Sequence, residues 1–108
     1  MEIVEQHTTP DGILKFVVCQ DADGISMGFD GFAWHTHPEL LADDGLTEDA
    51  AMRQFIDGLI AGRIVIALAR VSGAVRDVWV TDNIESDRKY KRDDETIEFR
   101  YWDGRNAV

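Results

Sequence analysis

A single cysteine, Cys19, stands in the whole chain, so an internal disulfide is excluded. Beside Phe16, Val17 and Val18 it reads as a small buried or half-buried hydrophobe. To act as a nucleophile it would need a histidine close in space. No stretch of about 18 apolar residues occurs, which excludes a membrane-spanning helix. The opening Met1-Glu2-Ile3-Val4-Glu5-Gln6 lacks a basic flank followed by an apolar stretch, so no secretory signal is expected and the expected compartment is the cytoplasm. Basic residues are scarce: 11 Lys and Arg stand against 21 Asp and Glu, for a formal net charge of −10. Such a field disfavours nucleic acid and anionic membranes, and it favours solubility and encounter with a basic protein partner. Repeats, low-complexity tracts and linkers are missing too. The 108 residues therefore suit a single domain, 1–108, with one core that requires neither disulfide nor metal.

What is present is a succession of short β patterns interrupted by one helix. Glu2 to His7 suits an edge strand. Thr9-Pro10-Asp11-Gly12 is a turn, because proline presets φ and the Asp-Gly pair accepts turn geometry. Ile13 to Gln20 is strand-like, with Leu14, Phe16 and Val18 on one face. Asp21-Ala22-Asp23-Gly24 opens like a calcium loop, but Phe32 occupies the place of the closing glutamate, so a hairpin turn is expected. Ile25, Met27 and Phe29 alternate in a third strand, and Phe32 to His37 either continues it or forms a short fourth. Pro38 ends that extension, and Glu39 to Leu46 reads as a connection.

Thr47 is an N-cap, with Glu48 and Asp49 in the first turn where negative charge suits the helix dipole. Met52, Phe55, Ile56, Leu59 and Ile60 form one apolar stripe, and Gly62 closes the helix. Ile64 to Arg70 is a strand covered on both faces, Val75 to Thr81 is the next, and Thr96 to Trp102 is the last. The stretch Asp82 to Asp94 is polar, and the tail from Asp103 to Val108 is expected to be loose. The predicted architecture is a two-layer α+β domain: a mostly antiparallel sheet of about six strands packed on one main helix, in the order β-β-β(-β)-α-β-β-β. Trp34, Trp79 and Trp102 either dress the sheet's open face, suiting a partner or a dimer mate, or are taken into the core.

Chemistry concentrates in Gly31-Phe32-Ala33-Trp34-His35-Thr36-His37-Pro38. His35 and His37, two apart, project from one face of an extended segment. Two such imidazoles can chelate zinc, with Asp43, Asp44, Glu39 or His7 as further ligands and an open position for water. No complete catalytic set is assembled by sequence alone, so a non-enzymatic binding module is the favoured reading, with no cofactor or, in the alternative, zinc. Its candidate binding residues are Trp34, His35, His37, Asp43 and Asp44. Asp43, Asp44, Glu48 and Asp49 would steer a basic partner.

Two resemblances bear on this. The segment His35-Thr36-His37-Pro38 resembles the His-x-His-Pro signature of the JAMM-type zinc isopeptidases, which implies a zinc-dependent hydrolase using His35 and His37. That family follows the signature with Ser-x-x-Asp; here Thr47 and Asp49 are two apart, and the upstream glutamates are Glu2 and Glu5. More broadly, Trp34-His35-Thr36-His37, the acidic balance, the chain length and the ending Tyr101-Trp102-Asp103-Gly104 resemble small bacterial immunity proteins of polymorphic toxin systems. That resemblance implies an acidic α+β domain that neutralises a basic toxin by binding it without turnover.

Overall fold

The first three strands form a continuous meander because each turn carries its own geometry. In the computed structural model, which describes residues 2–42 and 45–108, β1 (Glu2–Thr8), β2 (Lys15–Asp21) and β3 (Gly24–Phe29) run antiparallel in sequence order. The β1–β2 connection is tied by Thr9, whose amide donates to the Leu14 carbonyl at 2.9 Å while its hydroxyl accepts from the Leu14 amide at 3.1 Å. Asp11 completes the turn by accepting from the Ile13 amide at 3.0 Å. Between β2 and β3 only Ala22 and Asp23 intervene, and the Asp21 carboxylate accepts from the Asp23 amide at 2.8 Å. A hairpin turn, not a calcium loop, therefore follows β2.

A two-residue strand, β4 (His35–Thr36), adds to the far side of β3, followed by a one-turn helix α1 (Pro38–Leu41) and the main helix α2 (Glu48–Ile60). Proline suits the first helical position because its missing N–H would have no partner there. The connection expected from Glu39 onward thus begins as a helical turn. Thr47 caps α2, its hydroxyl accepting from the Ala50 amide at 3.0 Å. Gly62 follows the last turn at φ +78°. Its amide reaches the Leu59 carbonyl and the Arg63 amide reaches Gly58, a paired closure that only a left-handed residue permits readily.

The chain then builds a second sheet from β5 (Val65–Val71), β6 (Ala74–Thr81) and β7 (Glu95–Arg100), with a short helix α3 (Ile84–Lys89) before β7. Seven strands and three helices among the described residues make an α+β fold, and both sheets are antiparallel. The strands and the main helix follow the expected order, with the short helices α1 and α3 added to it, but the strands divide between two sheets, β1-β2-β3-β4 and β6-β5-β7, rather than forming one. β5 is the central strand of the second sheet, its two edges occupied by β6 and β7, so it does not itself extend the first sheet. Ile66 to Ala69 are all buried, as a strand covered on both faces requires.

One core joins the layers: Phe16, Val18, Met27 and Phe29 from the first sheet meet Met52, Ile56 and Leu59 of α2 and Ile66, Leu68 and Val78 of the second. Trp102 is buried in this cluster and Trp34 packs against it, so at least two of the three tryptophans serve the core. Two expectations are corrected. Ile60 ends the predicted stripe but is 39% exposed. The tail is not loose: Tyr101 donates to the Arg105 carbonyl, Ala107 to Phe99, and Asn106 forms a bridge with Arg100. Arg100 itself is buried, bonded to Asp11 at 2.9 Å and through Nε to Glu98 at 2.6 Å, with Arg70 on the other Glu98 oxygen. No helix among the described residues is long and apolar enough to cross a membrane.

Candidate functional site

Gly28 is what lets the histidine segment lie against β3. A Cβ built there would fall 2.6 Å from the Trp34 carbonyl oxygen, so any side chain would push β4 away. With glycine in place, Gly28 pairs with His35 and Met27 with Thr36. The preceding turn reverses at Gly31, at φ +88°, and Trp34 folds inward against Phe29 with ring centroids 6.1 Å apart. That apolar anchor leaves His35 exposed and His37 half-buried on the next residues of the segment.

Each imidazole is fixed by a backbone carbonyl. His35 Nδ1 lies 3.0 Å from the Ala33 oxygen, and His37 Nδ1 lies 3.1 Å from the Ile25 oxygen. A carbonyl oxygen only accepts, so both Nδ1 atoms carry protons. The rings stand edge to face, centroids 5.1 Å apart. His7, by contrast, is on β1 and bonded to Glu5 at 2.5 Å.

Two hollows meet at His37. The larger, about 430 Å³, brings together Gln20 and Asp23 near the β2–β3 turn, Ile25 of β3, His37, Glu39 of α1, and Glu48, Asp49 and Met52 of α2. Four acidic residues and the apolar Ile25 and Met52 thus line one depression, and no Lys or Arg lines it among the described residues. The smaller, about 250 Å³, is lined by Asp21, Asp23, Gly24, Ile25, Ser26, His35 and His37. Such a setting suits a cation or a basic side chain better than an anion.

The predicted residues are therefore only partly assembled. His35 and His37 share a hollow, Glu48 and Asp49 join His37 in the other, and Trp34 lines neither because it packs on Phe29. Asp43 and Asp44, named as binding residues, lie outside the described residues. Among the described residues no group of three His, Cys, Asp or Glu is placed to hold a metal ion. Glu5, an upstream glutamate of the hydrolase comparison, is engaged elsewhere. A hydrogen bond from Arg53, then one from His7, holds its carboxyl below the ordinary value. Cys19 is buried in β2 opposite Ser26 and Ile3. Asp23 and Gln20 were missed as lining residues because only strand pairing brings that turn beside α2. Comparison with family models, curated proteins and solved structures finds no match.

Proposed function

We propose that this protein is a non-enzymatic binding module whose acidic cleft takes a basic side chain of a protein partner. The observation that carries this is the convergence of Asp23, Glu39, Glu48 and Asp49 on one hollow of about 430 Å³. A Lys or Arg stem would lie along Ile25 and Met52 while its charged head meets the carboxylates, the division of labour that long cationic side chains favour. The net charge of −10 adds long-range attraction and hastens encounter. Such a role agrees with what the resemblance to immunity proteins implies, a basic toxin being one partner of this chemistry.

Binding of a labelled Arg-rich peptide, followed by fluorescence anisotropy, tests the proposal. The double reversal Glu39→Lys/Glu48→Lys is expected to weaken binding at least tenfold, about 1.4 kcal/mol. A control reversal at Glu85 and Asp93, two exposed acids outside the cleft, alters net charge equally and should weaken it much less. Equal losses in both proteins would show a diffuse charge effect and remove the cleft from the account.

A further inference from the structure

Charge is unevenly spread along this acidic chain. Four of its 11 Lys and Arg, namely Arg88, Lys89, Lys91 and Arg92, fall within five residues around Tyr90. All five are exposed where α3 runs into β7, Tyr90 at 75%. Two of the cations are drawn back: Arg88 lies over the Phe99 ring and beside Glu85, and Lys91 Nζ donates to the Arg92 and Glu95 carbonyls at 3.0 Å each. Lys89 and Arg92 make no ion pair among the described residues, and Lys89 Nζ stands 5.6 Å from the Tyr90 ring centroid. An exposed aromatic flanked by unpaired cations is the chemical complement of the acidic cleft, whose four acidic residues surround the apolar Ile25 and Met52. We infer that the cleft takes a second copy of this chain: the α3–β7 loop of one molecule inserts Lys89, Tyr90 and Arg92 into the cleft of the next. The cations meet the carboxylates and the ring meets Ile25 and Met52, a thioether against an aromatic edge being a favourable contact. This rests on the reading of the cleft as a seat for basic side chains, and it names a partner for that seat.

The fold keeps a molecule's own loop out of its own cleft. Ile66 and Leu68 of β5 face the core that α2 completes. Ala67 between them points to the other side of the sheet, with its pairing partner Phe99, and Arg88 lies over that ring. The second sheet thus stands between the loop and the helix that lines the cleft, so the two meet only between molecules. Because the surfaces that meet are different, the contact is heterologous and joins copies head to tail. One loop in one hollow is far smaller than a standard stable interface, so the association is weak and depends on concentration. A basic partner must displace the neighbouring copy before it binds.

Sedimentation velocity of the intact protein over a concentration series tests this. At about 0.15 M salt the repulsion between two acidic molecules is screened beyond about 8 Å, while charges in contact still attract. The expected result is concentration-dependent self-association that is lost at about 1 M salt, where screening reaches about 3 Å. A cleft variant, Glu39→Gln/Glu48→Gln, and a loop variant, Lys89→Gln/Arg92→Gln, should each self-associate at least tenfold more weakly. An equimolar mixture of the two should form a dimer and grow no further, since one retains a loop and the other a cleft. All four side chains are exposed, so both variants keep the core intact, which circular dichroism checks. Anisotropy with the Arg-rich peptide separates this inference from the reading beneath it, and the loop variant should bind the peptide at least as tightly as the parent. A parent that binds the peptide but stays monomeric overturns the self-docking and leaves the cleft reading standing, whereas a parent that does neither overturns both. Self-association that survives in either variant, or a mixture that stays monomeric, also overturns the self-docking.

Discussion

Gly28 keeps the histidine segment against β3, and Arg100 ties β7 to the β1–β2 turn. Gly28→Ala would set a Cβ 2.6 Å from the Trp34 oxygen, and neither backbone can yield without unpairing β4. Its expected cost is about 1–3 kcal/mol, read as a lower urea midpoint with an unchanged slope. Arg100 carries the opposite kind of demand, a buried guanidinium bonded to Asp11 and Glu98. Removing it leaves acids that are 34% and 35% exposed, so the expected loss for Arg100→Met is about 2–4 kcal/mol, at the modest end for a broken buried pair. The same acids set a pH dependence. The Thr9 hydroxyl, followed by the Ile13 amide and Arg100, holds the Asp11 carboxyl below its ordinary value. Burial would raise Glu98, but hydrogen bonds from Arg70 and Arg100 outweigh it, so its carboxyl too is lowered. A carboxyl lowered on folding contributes stability above its unfolded pKa, about 4, and loses it as pH falls through the folded value. Urea midpoints should therefore drop as pH falls below about 4, the unfolded carboxyl value, and by less in Arg100→Met; parallel curves for the two proteins would contradict this.

At the scale of elements, α2 was the most legible part of the chain because a cap, a first acidic turn, an apolar stripe and a closing glycine all coincide in sequence. Thr47→Ala should cost about 1 kcal/mol. Leu59, fully buried, should cost about 2–5 kcal/mol on change to Ala, whereas Ile60, 39% exposed, should cost far less. Equal thermal shifts for the two would refute the assigned helix face. β5 was legible for a similar reason, since Ile66 to Ala69 are apolar in succession and strands buried on both faces read that way. Shorter elements were not. α1 has only Pro38 to announce it, and α3 is held by an Asn83 side chain accepting from the Ser86 amide at 3.0 Å, inside a stretch so polar that no periodicity shows. β4 is two residues long, below the length at which alternation can be seen.

For the whole molecule, the division into two sheets was hidden because pairing partners are a tertiary property. β5 pairs with β7 across α3 and the whole of β6, and no local pattern signals that choice. The cleft was hidden for the same reason. Its histidine and its helix-start acids were legible as candidates, His37 from the tandem spacing and Glu48 and Asp49 from the charge run. Asp23 reaches them only because β3 pairs with β2 on one side and β4 on the other, which carries the β2–β3 turn to the start of α2. An acidic chain could attract basic partners with any part of its surface, so the claim that matters is that attraction ends in one place. The most direct measurement is a nitrogen-15 amide NMR titration with an Arg-rich peptide. Shifts are expected to concentrate at Gln20 to Ile25, at His37 and Glu39, and at Glu48 to Met52, and to fade together as salt is raised. Shifts spread over the surface, or gathered on residues of the second sheet, would contradict a binding cleft at this position.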